Sequence, residues 1–314
     1  MDQVDQRLVD LLGLDGRMSH RDLAAAAGIT RATVAARLRR LLDAGGVTVQ
    51  GVVHPSVIGR GEICYARIAV DGAATPVALA LATLPDVVYV SITTGRFGIA
   101  AEIRAGSVAA VDGALARIRG LPGVARVEAL AYRRILRDAV GPVGDARAQL
   151  DAADVALLRT LEHDGRASYV RLGDAAGLSA AAARRRVLRL VEESIVRIGP
   201  IVSRASEHAM GMGIHVRGDT AEAAAEVEAA AGVSFLARTS GAFDLLATVR
   251  APTAAALADA ADAVRGLSSV AGVETWAHLR FVKESYASLD AGPWSHGAPG
   301  TRTAEGDGRT VGLP

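Results

Sequence analysis

The feature of this sequence with the clearest chemical use is a cationic face on one short predicted helix, which begins after Thr30. Its arginine and hydroxyl side chains fall on one side: Arg31, Thr33, Arg37 and Arg40. The other side carries an apolar stripe at i, i+4 and i+7, and Thr30 is placed to cap the helix. A short helix with one dry and one cationic face fits the major groove of DNA, which is about 12 Å wide.

Position along this helix separates two kinds of predicted contact. Arg31 and Thr33 lie at the end that would enter the groove and are predicted to contact bases. Arg37 and Arg40 lie further along and are predicted to contact phosphate. Ser19 caps the preceding helix, and a cap at a helix N-terminus can also face a phosphate.

The sequence contains this unit twice. A shift of 149 positions aligns Asp2 with Asp151 and Arg37 with Arg186, and beyond the helices a shift of 146 aligns Phe97 with Phe243. Matches in the same order along the whole length indicate a tandem duplication. Local charge repeats as well, since 17–40 and 166–189 each hold six arginines and one acidic residue although the net charge is only +1. Such segments favour a polyanionic partner at two places.

The second copy of the cationic helix differs in its residues. Ser168 and Ser179 are predicted caps, and positions 180–183 are all alanine, which can contact a thymine methyl but offers no hydrogen bond. The cations left for phosphate are Arg184, Arg185 and Arg189. The second helix is therefore predicted to bind DNA with less sequence discrimination than the first.

Each repeat reads as three helices, a strand that would form a wing, and a β-α-β-β-α-β unit. The predicted class is α+β, with a ferredoxin-like sheet whose open face packs against its sister as an internal pseudo-dimer. In each unit the last strand is predicted over 124–131 and 270–277. The predicted domains are 1–55 (winged helix-turn-helix), 60–138 (βαββαβ), 139–149 (linker with a hinge), 150–204 (second winged helix-turn-helix), 210–287 (second βαββαβ) and 288–314 (disordered tail).

Composition excludes several classes of protein. In 314 residues, 50% are hydrophobic and 22% charged, as in a soluble globular protein. No apolar run approaches about 20 residues and no basic leader precedes one, so neither a membrane span nor a secretory signal is predicted. A single cysteine, Cys64, fits a cytoplasmic location. The histidines lack metal-ligand spacing, and no phosphate loop or nucleophile elbow is present, so the chain is predicted to be no enzyme and to need no cofactor.

The motifs named above, together with Asp15, Arg17 and the 37–41 run, are similar to the winged helix-turn-helix of Lrp/AsnC transcription regulators. The following unit resembles their effector-sensing domain, and the resemblance covers about residues 2–287. It implies a sequence-specific, double-stranded-DNA-binding regulator that is modulated by an amino acid or related metabolite and forms homo-oligomers. Members usually carry one unit per chain, so here the pairing is expected within the chain.

The resemblance also implies an effector pocket beside two tight loops that offer backbone amides between strands. The candidate residues are Thr94, Gly95, Phe97, Ser240, Gly241, Phe243 and Asp244. The Asp244 carboxylate could hold an amino group, whereas the first copy has Gly98 there. The alternative is that both loops are simple hairpin turns.

Two other functions stay open. Sirohaem decarboxylases share this architecture in fused pairs, but they carry a histidine- and arginine-containing strand motif, and 236–244 here has no histidine. The third possible function is a sensing scaffold whose degenerate helix-turn-helix units bind only protein. The retained arginine excess in both units argues against it.

Overall fold

The computed structural model describes residues 1–43, 46–144, 146, 148–202, 208–230 and 232–285. The first repeat contains α1 Gln3–Leu14, α2 His20–Ala27, α3 Arg31–Asp43, β1 Val47–Val53, β2 Glu62–Val70, α4 Ala74–Ala82, β3 Val87–Thr93, β4 Ile99–Ala105, α5 Val108–Arg119 and β5 Val124–Asp138. The second contains α6 Ala152–His163, α7 Tyr169–Ala176, α8 Ala180–Glu192, β6 Val196–Val202, β7 His208–Val216, α9 Thr220–Ala229, β8 Val233–Ser240, β9 Leu245–Ala251, α10 Ala254–Arg265 and β10 Val270–Glu284.

The first three helices of each repeat form a small head, α1–α3 and α6–α8. Asp2 and Asp5 form a reciprocal capping box at the start of α1, and Asp151 and Asp154 do the same for α6. Gly28 ends α2 in the left-handed region at φ 67°, where glycine carries no steric penalty. Leucines and valines from both heads pack into one continuous core, so the two heads form a single body.

The strand after each head joins the two heads instead of forming a wing. β1 and β6 pair antiparallel, and Gln50 lies opposite Gly199, its own counterpart under the 149-residue shift. A local twofold axis therefore passes between these two residues. The predicted wing was wrong in this respect, because each strand obtains its hydrogen bonds from the other repeat.

The two βαββαβ units close into one eight-stranded barrel of order β10-β3-β4-β2-β5-β8-β9-β7. The β5 strand pairs with β2 of its own unit through its first half and with β8 of the other unit through its second half. The β10 strand does the same with β7 and β3. Helices cover one face of each sheet, and an aromatic cluster fills the space between the opposite faces.

The predicted α+β class, the two helix-turn-helix units and the internal pseudo-dimer of the sheets are confirmed, whereas the pairing of the two heads was not predicted. The last strands are each 15 residues long, seven beyond their predicted ends. This extension carries the pairing between units. The sheets consequently join at their edges as well as packing face to face.

Two glycines of β7 leave space for large aromatic side chains inside the barrel. A Cβ at Gly211 would lie 2.2 Å from Trp276 Nε1, and one at Gly213 would lie 2.3 Å from the Phe243 ring. Trp276 Nε1 donates to the Tyr65 hydroxyl at 3.1 Å, which satisfies the buried indole. The two units are thus locked together by large side chains seated over glycines.

The segment predicted as a hinge is packed against the molecule. Gly141 and Pro142 are buried, and the backbone N–H of Val140 donates to Asp138 Oδ1. The Ser56 hydroxyl donates to the carbonyl of Ala146 at 2.7 Å. The predicted domain boundaries stay a prediction, and the predicted tail at 288–314 lies outside the described residues.

Candidate nucleic-acid interface

The first predicted recognition helix, α3, is fixed at its start and along its back. The Thr30 hydroxyl accepts from the Thr33 N–H at 3.1 Å, and the Thr30 carbonyl accepts from the Val34 N–H. The predicted apolar stripe is fully confirmed, since Val34, Leu38 and Leu41 are at most 8% exposed. The helix therefore presents a defined outer face on which Arg31 is exposed.

Two of the predicted phosphate contacts are engaged inside the head. Arg37 pairs with Asp2 and, at 2.9 Å, with Asp5, while Arg40 Nη2 lies 2.7 Å from Asp5 Oδ2. We call these four residues the first head cluster. It ties the middle of α3 to the capping box of α1 and so sets the orientation of the recognition helix.

The same cluster is repeated in the second head. Arg186 pairs with Asp151 and, at 3.0 Å, with Asp154, and Arg189 Nη2 lies 2.8 Å from Asp154 Oδ2. Asp5 and Asp154 are each 2% exposed. Because the arginines that α3 and α8 share are the ones in these clusters, their recurrence reflects the head's internal geometry. Phosphate contact by Arg37, Arg40 and Arg189 stays a prediction, with part of their hydrogen-bonding capacity already used.

The clusters make head stability dependent on pH. Hydrogen bonds from Arg37 and from the Asp5 N–H lower the pKa of Asp2 from its usual 3.8 to about 2. Burial alone would raise the pKa of Asp5, but hydrogen bonds from Arg37 and the Asp2 backbone, with the charge of Arg40, lower it overall. Unfolded chains bind more protons at these groups, so this stabilisation is complete above pH 3.8 and is lost as the pH falls toward 2.

We expect Asp5→Asn to lower the free energy of unfolding by about 1–2 kcal/mol at neutral pH, because two arginines lose a buried carboxylate partner. Urea denaturation followed by circular dichroism measures this. Asp154→Asn is the matched variant in the other head and should cost a similar amount. The difference between wild type and Asp5→Asn should shrink on acidification below pH 3.8. An unchanged urea midpoint in both variants would contradict a structural role for the clusters.

Two further arginines join the heads to each other. Arg17 donates to the carbonyls of Gly165 and Ala167, and Arg166 donates to the carbonyls of Gly16 and Met18. The sequence predicts that Arg17 and Arg166 anchor turns. The structure shows that each anchors the turn of the opposite head, and Arg17 also lies over the Tyr169 ring, 4.5 Å from its centre.

The predicted serine caps are present. Ser19, Ser168 and Ser179 accept from the N–H of Asp22, Arg171 and Ala182 respectively. Ser19 also donates its hydroxyl to Asp22 at 2.7 Å. All three serines are exposed, so contact with a phosphate stays a prediction.

The cations available on the outer faces are those that the repeats do not share. Arg31 and Arg39 on α3, and Arg184 and Arg185 on α8, are exposed, and none makes an ion pair with the residues that the structure describes. Arg39 was missing from the predicted contact residues. Its position one turn before Asp43 and its lack of a counterpart, since Leu188 stands in the second copy, are visible in the sequence.

The two predicted effector loops come together at one end of the barrel and are held by backbone contacts. Thr94 exchanges hydrogen bonds with Ala277, whose N–H donates to the Thr94 hydroxyl at 2.9 Å. Ser240 accepts from Arg133 Nε at 2.7 Å. One oxygen of Asp244 accepts from the Val216 N–H at 2.9 Å, so part of that carboxylate serves the loop itself. Gly95 and Gly241 take positive φ at the two turns.

Arg67 fills the space between these loops. Its guanidinium lies 4.3 Å from the Phe97 ring centre, 4.6 Å from that of Trp276 and 5.2 Å from that of Phe243. It pairs with Glu128 at 3.0 Å and also with Glu274. The cavity beside Thr94, Gly95 and Phe97 is only about 20 Å³, close to the space for one water molecule. Arg67 was not among the site residues predicted from the sequence. The available signal was the difference between the repeats, because the counterpart of Arg67 under the 146-residue shift is Gly213.

A larger cavity of about 110 Å³ lies at the other end of the barrel, where β5 and β10 finish. Tyr65, Tyr89, Tyr132 and Leu246 contribute to its wall, with Arg104 and Arg250. Because residues from both units line it, we call it the axial cavity.

Within the described ranges, no group of three histidine, cysteine or acidic side chains is placed to hold a metal ion. The helices of that same part of the chain are all too short or too polar to cross a bilayer.

Comparison with known proteins agrees with this geometry. The AsnC-type helix-turn-helix domain matches residues 1–42 and 150–191. The HTH-type transcriptional regulator FL11 of Pyrococcus horikoshii is 26% identical over 126 residues, which is 40% of this chain and 83% of FL11. FL11 of Pyrococcus furiosus matches over the same extent. A crystal structure of the siroheme decarboxylase NirDL superposes with TM-score 0.64 at 14% identity, covering 92% of this chain and 96% of NirDL.

Each head thus matches the AsnC-type helix-turn-helix domain, so the chain carries two such domains. The chain is a tandem duplication, and its repeats are similar to Lrp/AsnC transcriptional regulators. At 14% identity, the NirDL likeness shows that the duplicated architecture as a whole is shared, and it shows the fold alone.

Proposed function

We propose that this protein is a sequence-specific transcriptional regulator that binds double-stranded DNA through α3 and α8 of the same chain. The observation that carries the proposal is the exposure of Arg31, Arg184 and Arg185 on helices whose backs and middles are fixed to the heads. Because these cationic helices are already ordered, binding a duplex does not carry the entropic cost of ordering them.

The twofold axis between Gln50 and Gly199 supports a particular mode of binding. Helices related by such an axis address half-sites of opposite orientation. The half-site under α3 would be read by Arg31 and Thr33. That under α8 would be contacted chiefly by phosphate-binding arginines, because 180–183 are alanine.

The test is selection of bound fragments from a random duplex pool, followed by anisotropy titration on matched and mismatched sites. Replacing the α3 residues Arg31, which is exposed, and Thr33, which is half-buried, by alanine should abolish most discrimination between those sites. Replacing Arg184 and Arg185 should weaken binding to both sites about equally. Equal loss of discrimination from the two replacements would contradict the assignment of unequal roles.

Modulation by an amino acid or related metabolite, and a homo-oligomeric state, belong to this proposal through the Lrp/AsnC relationship. Repeating the selection with and without amino acids tests the first. Arg67 occupies the space between the two predicted effector loops. This position argues against an effector that binds between the loops of one chain.

A decarboxylase acting on sirohaem is the competing function, because NirDL shares the fold along the chain. The axial cavity of about 110 Å³ is well below the roughly 300–1,000 Å³ of pockets for drug-sized ligands, and a tetrapyrrole is larger still. Incubation with sirohaem and mass spectrometry of the product tests it, and loss of carboxyl groups would favour the enzyme.

A further inference from the structure

The centre of the barrel, between the two predicted effector loops, is built from two pairs of equivalent residues. Under the 146-residue shift, Phe97 corresponds to Phe243, and Glu128 corresponds to Glu274. Both phenylalanines are 4% exposed, and both carboxylates pair with the guanidinium of Arg67. We call these two pairs the cation cage. One guanidinium, supplied by one repeat, therefore lies among four side chains that the two repeats supply equally.

Equivalent hydrogen bonds fix the two phenylalanines of the cage. The Thr93 hydroxyl donates to the Phe97 carbonyl at 2.8 Å, and the Thr239 hydroxyl donates to the Phe243 carbonyl at 2.7 Å. Thr93 and Thr239 correspond under the same shift. The aromatic walls are thus held by the two hairpins through bonds that do not involve Arg67, as a preorganised binding site requires.

The strand register shows why the cage holds a single arginine. Arg67 on β2 lies opposite Glu128 on β5. Its counterpart, Gly213 on β7, lies opposite Glu274 on β10. A Cβ at Gly213 would lie 2.3 Å from the Phe243 ring, so the second repeat has no room for a side chain there. Glu274 therefore takes its cation from the other repeat.

The composition of the cage selects a guanidinium. Two carboxylates accept its N–H donors in charge-assisted hydrogen bonds, and the Phe97 and Phe243 rings lie 4.3 and 5.2 Å from its central carbon. A guanidinium is weakly hydrated and stacks on aromatic rings, so such a cage favours it over a strongly hydrated ammonium. The Arg67 side chain is 5% exposed and that of Glu274 is 50% exposed, so solvent reaches the cage along Glu274.

We propose that the cation cage is a binding site for one guanidinium-bearing ligand, and that Arg67 is a tethered occupant of this site. A diffusible ligand would lose translational and rotational freedom on binding, whereas a side chain of β2 fills the cage in every molecule. The two barrel units therefore stay paired without a free ligand. When Arg67 is shortened, the cage becomes a site for a diffusible guanidinium compound. DNA binding plays no part in this site.

Isothermal titration of the Arg67→Ala variant with ethylguanidinium tests the site, because this cation has the shape of the atoms that the substitution removes. Arg96 lies 5.1 Å from the Phe97 ring, so Arg96→Ala is included in every chain to keep that arginine out of the emptied space. N-ethylurea, an uncharged molecule of similar shape, is the matched probe. One ethylguanidinium per chain is expected to bind at millimolar concentration, at least about tenfold more tightly than N-ethylurea.

Two further substitutions locate the ligand. Glu274→Gln, added to Arg67→Ala, should weaken ethylguanidinium binding about tenfold. Glu222→Gln on the exposed face of α9 changes the net charge equally and should leave binding unchanged. Equal weakening by these two substitutions, or binding of equal strength by a chain that keeps Arg67, would place the ligand outside the cage. No saturable binding up to about 50 mM, or equal binding of N-ethylurea, would overturn the proposal.

Refolding decides the matter if Arg67→Ala does not fold alone. The variant is then diluted from urea into ethylguanidinium or N-ethylurea at the same concentration. Native circular dichroism recovered with the cation and not with its uncharged analogue would support the cage. Equal recovery with both compounds, or recovery with neither, would contradict it.

Discussion

Replacing Arg31, Arg184 and Arg185 together by alanine is expected to weaken DNA binding by about 100-fold at low ionic strength, with little change in the free energy of unfolding. The three side chains are exposed and make no ion pair within the described residues, so their removal costs the fold little. In a complex, three charge-assisted contacts of about 1 kcal/mol or more each account for the loss. Fluorescence anisotropy with a labelled duplex measures the affinity.

The salt dependence separates lost phosphate contacts from a damaged fold. Each phosphate contact that is removed lowers the slope of log affinity against log salt by about 0.9. The matched control replaces Arg119, Arg126 and Arg238, three exposed arginines outside the heads, and changes net charge by the same amount. Equal weakening by the control would show that overall charge, and not the two helices, determines binding.

The second large effect concerns Arg67. Glu128→Gln combined with Glu274→Gln is expected to lower the free energy of unfolding by about 3 kcal/mol, because a guanidinium that is 5% exposed loses both carboxylate partners. This expected loss of stability lies at the low end of the range for broken buried ion pairs, because Glu274 is half exposed. Urea denaturation at neutral pH measures the loss.

An apolar replacement of Arg67 distinguishes the effect of an unpaired buried guanidinium from general damage to the fold. Adding Arg67→Met to the two glutamine substitutions removes the unpaired guanidinium while keeping contact with the Phe97 and Trp276 rings. Most of the lost stability should return. A triple variant no more stable than the double variant would contradict the account of Arg67 as a charge held by its two glutamates.

The helices of the heads could be predicted because their signals are local. Thr30, Ser19 and Ser179 stand at caps, and the i, i+4 and i+7 leucines and valines follow one face. Strand β1 alternates strongly enough to be placed from the sequence. Its partner could not be, because the pairing with β6 joins residues about 150 positions apart and leaves no periodic trace.

The strand pairing of the barrel and the ion pairs of the heads could not be predicted for the same reason, because both join residues that are far apart in the sequence. The last seven residues of β5 and the last six of β10 pair only with the other unit, so a pattern sought within one unit ends too early. The sequence also places Asp5 at a helix cap and Arg40 on a helix face without showing that the two meet. Folding brings α1 across α3, and the cations that repeat become internal contacts. The cations of α3 and α8 that do not repeat, Arg31, Arg39, Arg184 and Arg185, remain on the surface.

Hydroxyl-radical footprinting of a selected duplex, bound by the protein at one chain per site, tests the central claim most directly. Two protected patches of opposite orientation on one face of the duplex are expected, with the patch under α8 lost in Arg184→Ala/Arg185→Ala and the other lost in Arg31→Ala. A single patch that both sets of substitutions abolish, or no protection at low ionic strength, would contradict binding by both helices of one chain.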